Sequence, residues 1–359
     1  MSVIVSYKKQ FLLGAILLLL IIAVIEGIVR IYDYYNPNCQ FIKSEVFRNV
    51  DFDLKRAICQ DNDDVKWEDE PFLHLKPNQH LKTININSHG FRGSEITKEK
   101  PADVYRIFVV GGSTVFGVGS TSDSTTIPGY LQKLFDSSNL GIKIEVINAG
   151  IPKAYSYTET NYIRNNLLDY EPDLFIIYDG WNDLNRPYHV YSDVVEYDPK
   201  DRILRMILKN DFFKTGKVIL KNYFNWRQEN DSIIKFSDSN IDDKVQAWEN
   251  SWLQICELGN EKGFEVIITL QPLVGTGIKN LTTEELEYYA RSDHENILPN
   301  YEKYANALDN LKNVCTNTLD LRTVFDSVQT TIFFDAGHTG DAGNEIVAKK
   351  MYQTIISIF

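Results

Sequence analysis

The sequence predicts an α/β fold built on a doubly wound parallel sheet. Three observations point there. Short apolar runs rich in β-branched and aromatic residues recur, each the length of one buried strand. Stretches of helical character alternate with them, as in strand–helix–strand units. Three of the runs also end directly in polar, glycine-containing turns, as strands do at the carboxyl edge of a parallel sheet, where ligands bind.

The runs are residues 105–110, 142–147 and 174–178, then a fourth at 264–270 and a fifth near 317–321. Helices are expected near 127–135, 157–168, 243–262 and 344–356. The chain has 359 residues, 43% of them hydrophobic, which suffices for one large α/β domain with appendages. Its formal net charge is −12 and no stripe of Lys and Arg interrupts it, which argues against nucleic acid as a partner. No repeat period or low-complexity tract is present, and no Cys-x-x-Cys spacing suggests structural zinc.

The N-terminus reads as a membrane anchor. Residues 11–25 are an unbroken apolar run closed by Glu26, and 10–29 is long enough to span a bilayer. Lys8 and Lys9 precede it, while Arg30 and Asp33 follow. The positive-inside rule then leaves residues 1–9 in the cytoplasm and the rest of the chain outside. A cleaved signal peptide is the rival reading. The run is long for such a segment, and no small-x-small site closes it.

Residues 30–101 are expected to be a membrane-proximal extension, and 102–359 the main domain, with insertions at about 184–242 and 274–304. In the extension, Asn85 to Gly93 reads as a short strand and turn carrying Arg92. The first insertion is rich in aromatics, Tyr188, Phe212 and Trp226 among them, and the second carries Tyr288, Tyr289 and His294. Both leave strand ends and can cover a crevice there. Most of their aromatics are expected in small cores of their own, and His189 and His294 at the surface. In an oxidising compartment Cys39 and Cys59 could pair locally, whereas Cys256 and Cys315 read equally well as paired or simply buried. Asn230 and Asn280 begin glycosylation triplets.

Four distant segments carry groups that acyl transfer needs. They are Gly111-Gly112-Ser113-Thr114, Asn148-Ala149-Gly150, Gly180-Trp181-Asn182-Asp183 and Asp335-Ala336-Gly337-His338. A serine hydroxyl needs an adjacent base to act as a nucleophile, and His338 can supply it. Asp335, three residues earlier, can fix the imidazole tautomer and stabilise the imidazolium. The oxyanion then needs donors, and the candidates are the N–H groups of Ser113 and Gly150 and the side-chain amide of Asn182. Gly112 allows a sharp turn before the serine. Each residue also has a plain reading: Ser113 as a helix cap, Asn182 and Asp183 as a turn pair, His338 as a surface residue. All of these holding at once would be a coincidence. Thr114 and Asp183 are read as structural. Arg92, Gln271 and Trp181 are candidates for binding substrate. Arg92 could equally brace the loop of Ser113, or simply pair with a surface carboxylate.

On these residues the chain resembles the SGNH (GDSL-type) hydrolases, named for Ser, Gly, Asn and His in four blocks that occur here in the same order. Ser113 matches the nucleophile, Gly150 and Asn182 the oxyanion residues, and His338 with Asp335 the Asp-x-x-His block. Gly343-Asn344-Glu345-Ile346-Val347-Ala348 resembles the stretch that opens the family's last helix. The first block reads Gly-Gly-Ser-Thr and lacks the aspartate usual before the serine. The resemblance implies a three-layer α/β/α, flavodoxin-like fold, ester hydrolysis and no cofactor or metal. The expected substrate is an ester, such as an O-acetylated surface glycan or a lipid. Two alternatives use the same residues: an O-acyltransferase acting on cell-surface polysaccharide, and a glycan-binding module without turnover.

Overall fold

The computed structural model describes residues 6–35, 39–185, 215–216, 219 and 241–358. Most of the expected insertion at 184–242 lies outside them, including Tyr188, His189, Phe212, Trp226 and Asn230. The chain divides into two compact units, Met1–Asn38 with Ser192–Ser237, and Cys39–Tyr191 with Asp238–Phe359.

The first unit contains helix α1 (Tyr7–Tyr35). Within Tyr7–Tyr32 the most apolar 18-residue window has a mean hydropathy of 2.9, so the helix is long and apolar enough to cross a membrane. Its apolar side chains, such as Phe11, Leu12, Leu19 and Ile25, are exposed. Glu26 pairs with Arg30 one turn later at 2.7 Å and accepts a hydrogen bond from the Thr215 hydroxyl at 2.7 Å.

In the second unit, chain order after the extension is β1 (Val104–Gly111), α3 (Ser113–Phe116), α4 (Ile127–Asp136), β2 (Lys143–Gly150), α5 (Ser156–Asn165), β3 (Leu174–Asp179) and α6 (Trp181–Asn185). There follow α7 (Ile241–Lys262), β4 (Glu265–Leu270), α8 (Thr283–Arg291), α9 (His294–Asn310), β5 (Asn317–Asp320) and α10 (Asp341–Ile355). The extension contributes α2 (Phe52–Asp64) and two short hairpins. The five strands are parallel and lie in the order β2-β1-β3-β4-β5. This is the doubly wound order, with its topological switch between β1 and β3.

Side chains alternate across the sheet and build two cores. Phe108, Val110, Phe175, Ile177 and Ile268 pack under α5, α7 and α9, with Trp248, Trp252, Tyr301 and Tyr304. Ile107, Val109, Leu174, Ile176 and Ile267 pack under α4 and α10, with Leu131, Phe135, Val347 and Met351. The three layers follow from strands apolar on both faces. Gly111 stands level with Gly150 on one side and Tyr178 on the other, so the carboxyl ends of β1, β2 and β3 form one edge.

The second insertion departs from expectation. It forms α8 and α9, and its aromatics enter the two domain cores. Tyr301, Tyr304, Ala305 and Leu308 recur at helical spacing, giving α9 an apolar stripe that packs on the sheet. His294 is not a surface residue. It is fully buried, with Nδ1 2.6 Å from the Val274 carbonyl and its ring edge-on to Trp181 at 5.5 Å. The second glycosylation triplet is also a helix start, because the Thr282 side chain caps α8.

All four cysteines are paired, as Cys39–Cys59 and Cys256–Cys315, with Cα separations of 5.7 and 4.8 Å. The second bridge ties α7 to the turn before β5, which the sequence left open.

Candidate active site

Ser113 opens α3 two residues beyond the end of β1. As the first helical residue, its N–H has no intrahelical acceptor. Gly112 before it is needed for space rather than for the turn. Its φ is −79°, and a Cβ there would collide with the Asn182 amide. The nucleophile loop and the Asn182 side chain therefore touch directly.

His338 reaches this edge from the far end of the chain. Its Nε2 lies 2.7 Å from Ser113 Oγ, across 225 residues of sequence. Its Nδ1 lies 2.8 Å from Asp335 Oδ2. The other Asp335 oxygen accepts the N–H groups of Gly337 and His338 at 2.9 and 2.7 Å, which locks the carboxylate to its own loop. In the tautomer with Nδ1–H donating to the carboxylate, Nε2 carries a lone pair that can accept a hydrogen bond from the Ser113 hydroxyl. Burial disfavours the imidazolium. The charge and hydrogen bond of Asp335 outweigh it, and His338 stands above the usual histidine value. Burial likewise pushes Asp335 up, and His338 with the loop N–H groups brings it below the usual carboxylate value.

Asn182 sits on α6, just beyond β3. Its Nδ2 donates to the Ala154 carbonyl at 2.6 Å. An amide nitrogen has two protons, so the second remains for an oxyanion. Asp183 supports this arrangement by accepting the Ser156 N–H at 3.1 Å and the Ser156 hydroxyl, which binds α6 to the start of α5. Beneath it, burial and then neighbouring carboxylates push Glu159 and Asp179 well above their usual values.

Gly150 does not fit the role expected of it. Its N–H already donates to Asn148 Oδ1 at 3.0 Å. A Cβ at this position would strike the backbone nitrogen of Phe116, so the glycine is required by the close packing of β2 on α3. The candidate oxyanion donors that remain are Ser113 N–H and Asn182 Nδ2.

Of the roles open to Arg92, the structure shows the brace and not the substrate contact. Its side chain has 0% exposure, and its guanidinium bonds Asp123 at 2.7 Å, the Phe116 and Gly117 carbonyls at 2.9 Å each, and the Thr83 carbonyl at 3.0 Å. It braces the end of α3 and is enclosed away from any substrate. Gln271 and Trp181 border Gly337, beside His338. Gln271 Nε2 is buried and has no hydrogen-bond partner among the described residues. Trp181 is partly buried.

Several supports were not visible in sequence. Glu285 on α8 accepts the Ile332 N–H at 3.0 Å and pairs with Lys279 at 2.7 Å, both side chains buried, so the insertion holds the loop that leads to Asp335. Val274 N–H donates to the Ala336 carbonyl at 3.1 Å. Asn344 accepts from Thr339 on the base loop and donates to Ser120 beyond the nucleophile helix, each at 3.0 Å. The Asn344 contact could have been anticipated from its place in the last block. The others have no local signal. Among the described residues, no group of three or more His, Cys, Asp or Glu side chains is placed to hold a metal ion.

No protein-family model and no curated protein sequence matches the chain. Among solved structures it is similar to the acetyl xylan esterase AlAXEase, at 15% identity and a TM-score of 0.43 over 70% of this chain and 99% of that one. It is also similar to an acetylxylan esterase from Geobacillus stearothermophilus, at 13% identity and a TM-score of 0.41 over 70% and 94%. A two-domain esterase active on acetylated mannans aligns at 13% identity and a TM-score of 0.41, over 71% of this chain and 49% of that one. The α/β fold itself stands on the strand order and the two helix layers of this chain.

Proposed function

We propose that the chain is a membrane-anchored serine esterase of SGNH type whose catalytic unit lies outside the cytoplasm. The observation that carries the reading is the continuous chain Asp335–His338–Ser113, with links of 2.8 and 2.7 Å, the second joining residues 225 apart in sequence. Ser113 Oγ attacks the ester carbonyl as its proton passes to His338 Nε2. Asp335 stabilises the imidazolium formed. Ser113 N–H and the free proton of Asn182 Nδ2 receive the oxyanion. His338 then returns the proton to the departing alkoxide, and water, activated by the same histidine, releases the acid.

The location is supported by α1 and by the pairing of every cysteine, which suits an oxidising compartment. Esters of small acyl groups on envelope glycans are the proposed substrate class, because an anchored site faces the cell surface.

The full-length chain in detergent micelles should hydrolyse p-nitrophenyl acetate and take a fluorophosphonate label. Both signals should vanish in Ser113→Ala. Labelling without turnover, rescued by an added sugar acceptor, would turn the reading to acyl transfer. A folded protein with neither signal would leave a binding module.

A further inference from the structure

Cys39 follows the end of α1 by four residues. Its disulfide to Cys59 closes a short loop containing two 3-10 turns, Gln40–Lys43 and Glu45–Phe47, and the first half of α2. The apolar side chains of this loop do not join either core of the sheet. Phe41, Phe47, Ile58 and Cys59 form a separate cluster with one residue from the other end of the chain, Phe334. The Phe41 and Phe47 rings lie 5.0 and 5.4 Å from that of Phe334. Phe334 is 1% exposed and stacks on the His338 imidazole, with centroids 5.7 Å apart and planes within 14°. The loop is also pinned to α8, where Glu45 N–H donates to Glu284 at 3.0 Å.

We propose that Phe334 is a positioning residue for the base His338, and that the disulfide-closed loop Cys39–Cys59 is the clamp that keeps Phe334 in place. The catalytic unit is then incomplete without the membrane-proximal segment, which is part of the active site and not only a tether. The proposal rests on the serine-hydrolase reading above. Two effects follow from the stack. A buried ring beside the imidazole restricts its rotation, holding Nε2 toward Ser113. An aromatic face also attracts a cation, so it favours the imidazolium that forms in the transition state over the neutral ring of the resting enzyme. The other groups facing this pair are the Ser113 hydroxyl and the Asp335 carboxylate on the imidazole, with Tyr288 and His294 close to Asp335.

The test uses the full-length chain in detergent micelles, with p-nitrophenyl acetate. Phe334→Met keeps the side chain apolar and flexible but removes the ring, and should lower kcat about tenfold with KM unchanged. The acid limb of its kcat/KM profile should move to lower pH, because the imidazolium has lost support. Phe334→Tyr keeps the ring and should restore most of kcat. Cys39→Ser with Cys59→Ser should lower kcat in the same sense. If Phe334→Met does not fold, the pair Phe41→Met and Phe47→Met reads the same effect at one remove. A folded ring-deleted variant with parental kcat and pH profile, whatever its Tm, would overturn the proposal. A parent without turnover or fluorophosphonate labelling would instead sink the hydrolase reading, and the clamp with it.

Discussion

Ser113 follows a strand that is hydrogen-bonded on both sides, whereas His338 stands on a loop that no sheet strand carries directly. The nucleophile side is placed mainly by backbone: the ladder of β1, the glycines at 112 and 150 that permit close packing, and the carbonyls gripped by Arg92. The base side is placed mainly by side chains that come from elsewhere. Glu285 binds its approach, Asn344 its exit, and Phe41 and Phe47 pack on Phe334. A ladder sums many similar bonds and tolerates the loss of a side chain, but a loop held by a few contacts depends on each of them. The base should therefore be the more easily disturbed half of the site.

The sharpest break is chemical. Ser113→Ala and His338→Ala should each lower turnover by ~10⁴-fold or more, and the double variant should be little worse than either, because the two act as a unit. Multiplying losses in steady-state kinetics would mean they act separately.

Glu285→Ala tests the base side through stability. It leaves the Lys279 ammonium buried without its partner and the Ile332 N–H without an acceptor. The expected loss is about 3–5 kcal/mol, read by denaturant unfolding of the full chain. Burial opposes the Glu285 carboxylate, but backbone N–H groups and Lys279 hold it below the usual value. A depressed carboxylate contributes stability above its unfolded pKa, lost as pH falls through the folded one. The variant should thus lose less stability on acidification than the parent. Equal acid sensitivity in the two proteins would remove Glu285 from this role.

On the nucleophile side, Asn182→Ala should lower kcat by ~10²–10³-fold while altering KM little. A loss confined to KM would make Asn182 a substrate contact and leave the oxyanion to the Ser113 N–H alone.

The smallest effect concerns pH. His338 must be neutral to accept the serine proton, and Asp335 holds it above the ordinary histidine value of about 6.5. The acid limb of kcat/KM should lie above that value in the parent and fall in Asp335→Asn. An unmoved limb would assign it to another group.

Much of the framework was legible because it is local. The central strands β1, β3 and β4 are largely apolar runs, and the predicted place of every strand differs from the observed one by only a few residues. Ser113, Asn182, Asp335 and His338 could be named as candidates because their segments occur together, although each residue alone reads equally as a cap, a turn or a surface group. Where one residue's surroundings decided the matter, sequence misled or left the choice open. Gly150 looks like any glycine at a strand end, yet Asn148 two residues earlier takes its N–H. For Arg92 the sequence left substrate binding, bracing and a surface pair open, and only its partners at Thr83, Phe116, Gly117 and Asp123 select the brace. His294 looks polar and exposed, yet α9 turns it inward beside Trp181.

The sequence by itself determined the alternation of strands and helices, the apolar N-terminal helix and the chemical kinds of group at the sheet edge, because periodicity and residue type act over a few neighbours. Packing in three dimensions decides which candidate oxyanion donors stay free, which cysteines pair, and that Phe41 and Phe47 near one end of the chain meet Phe334 near the other. Such contacts depend on packing between segments hundreds of residues apart, and no local pattern carries that information.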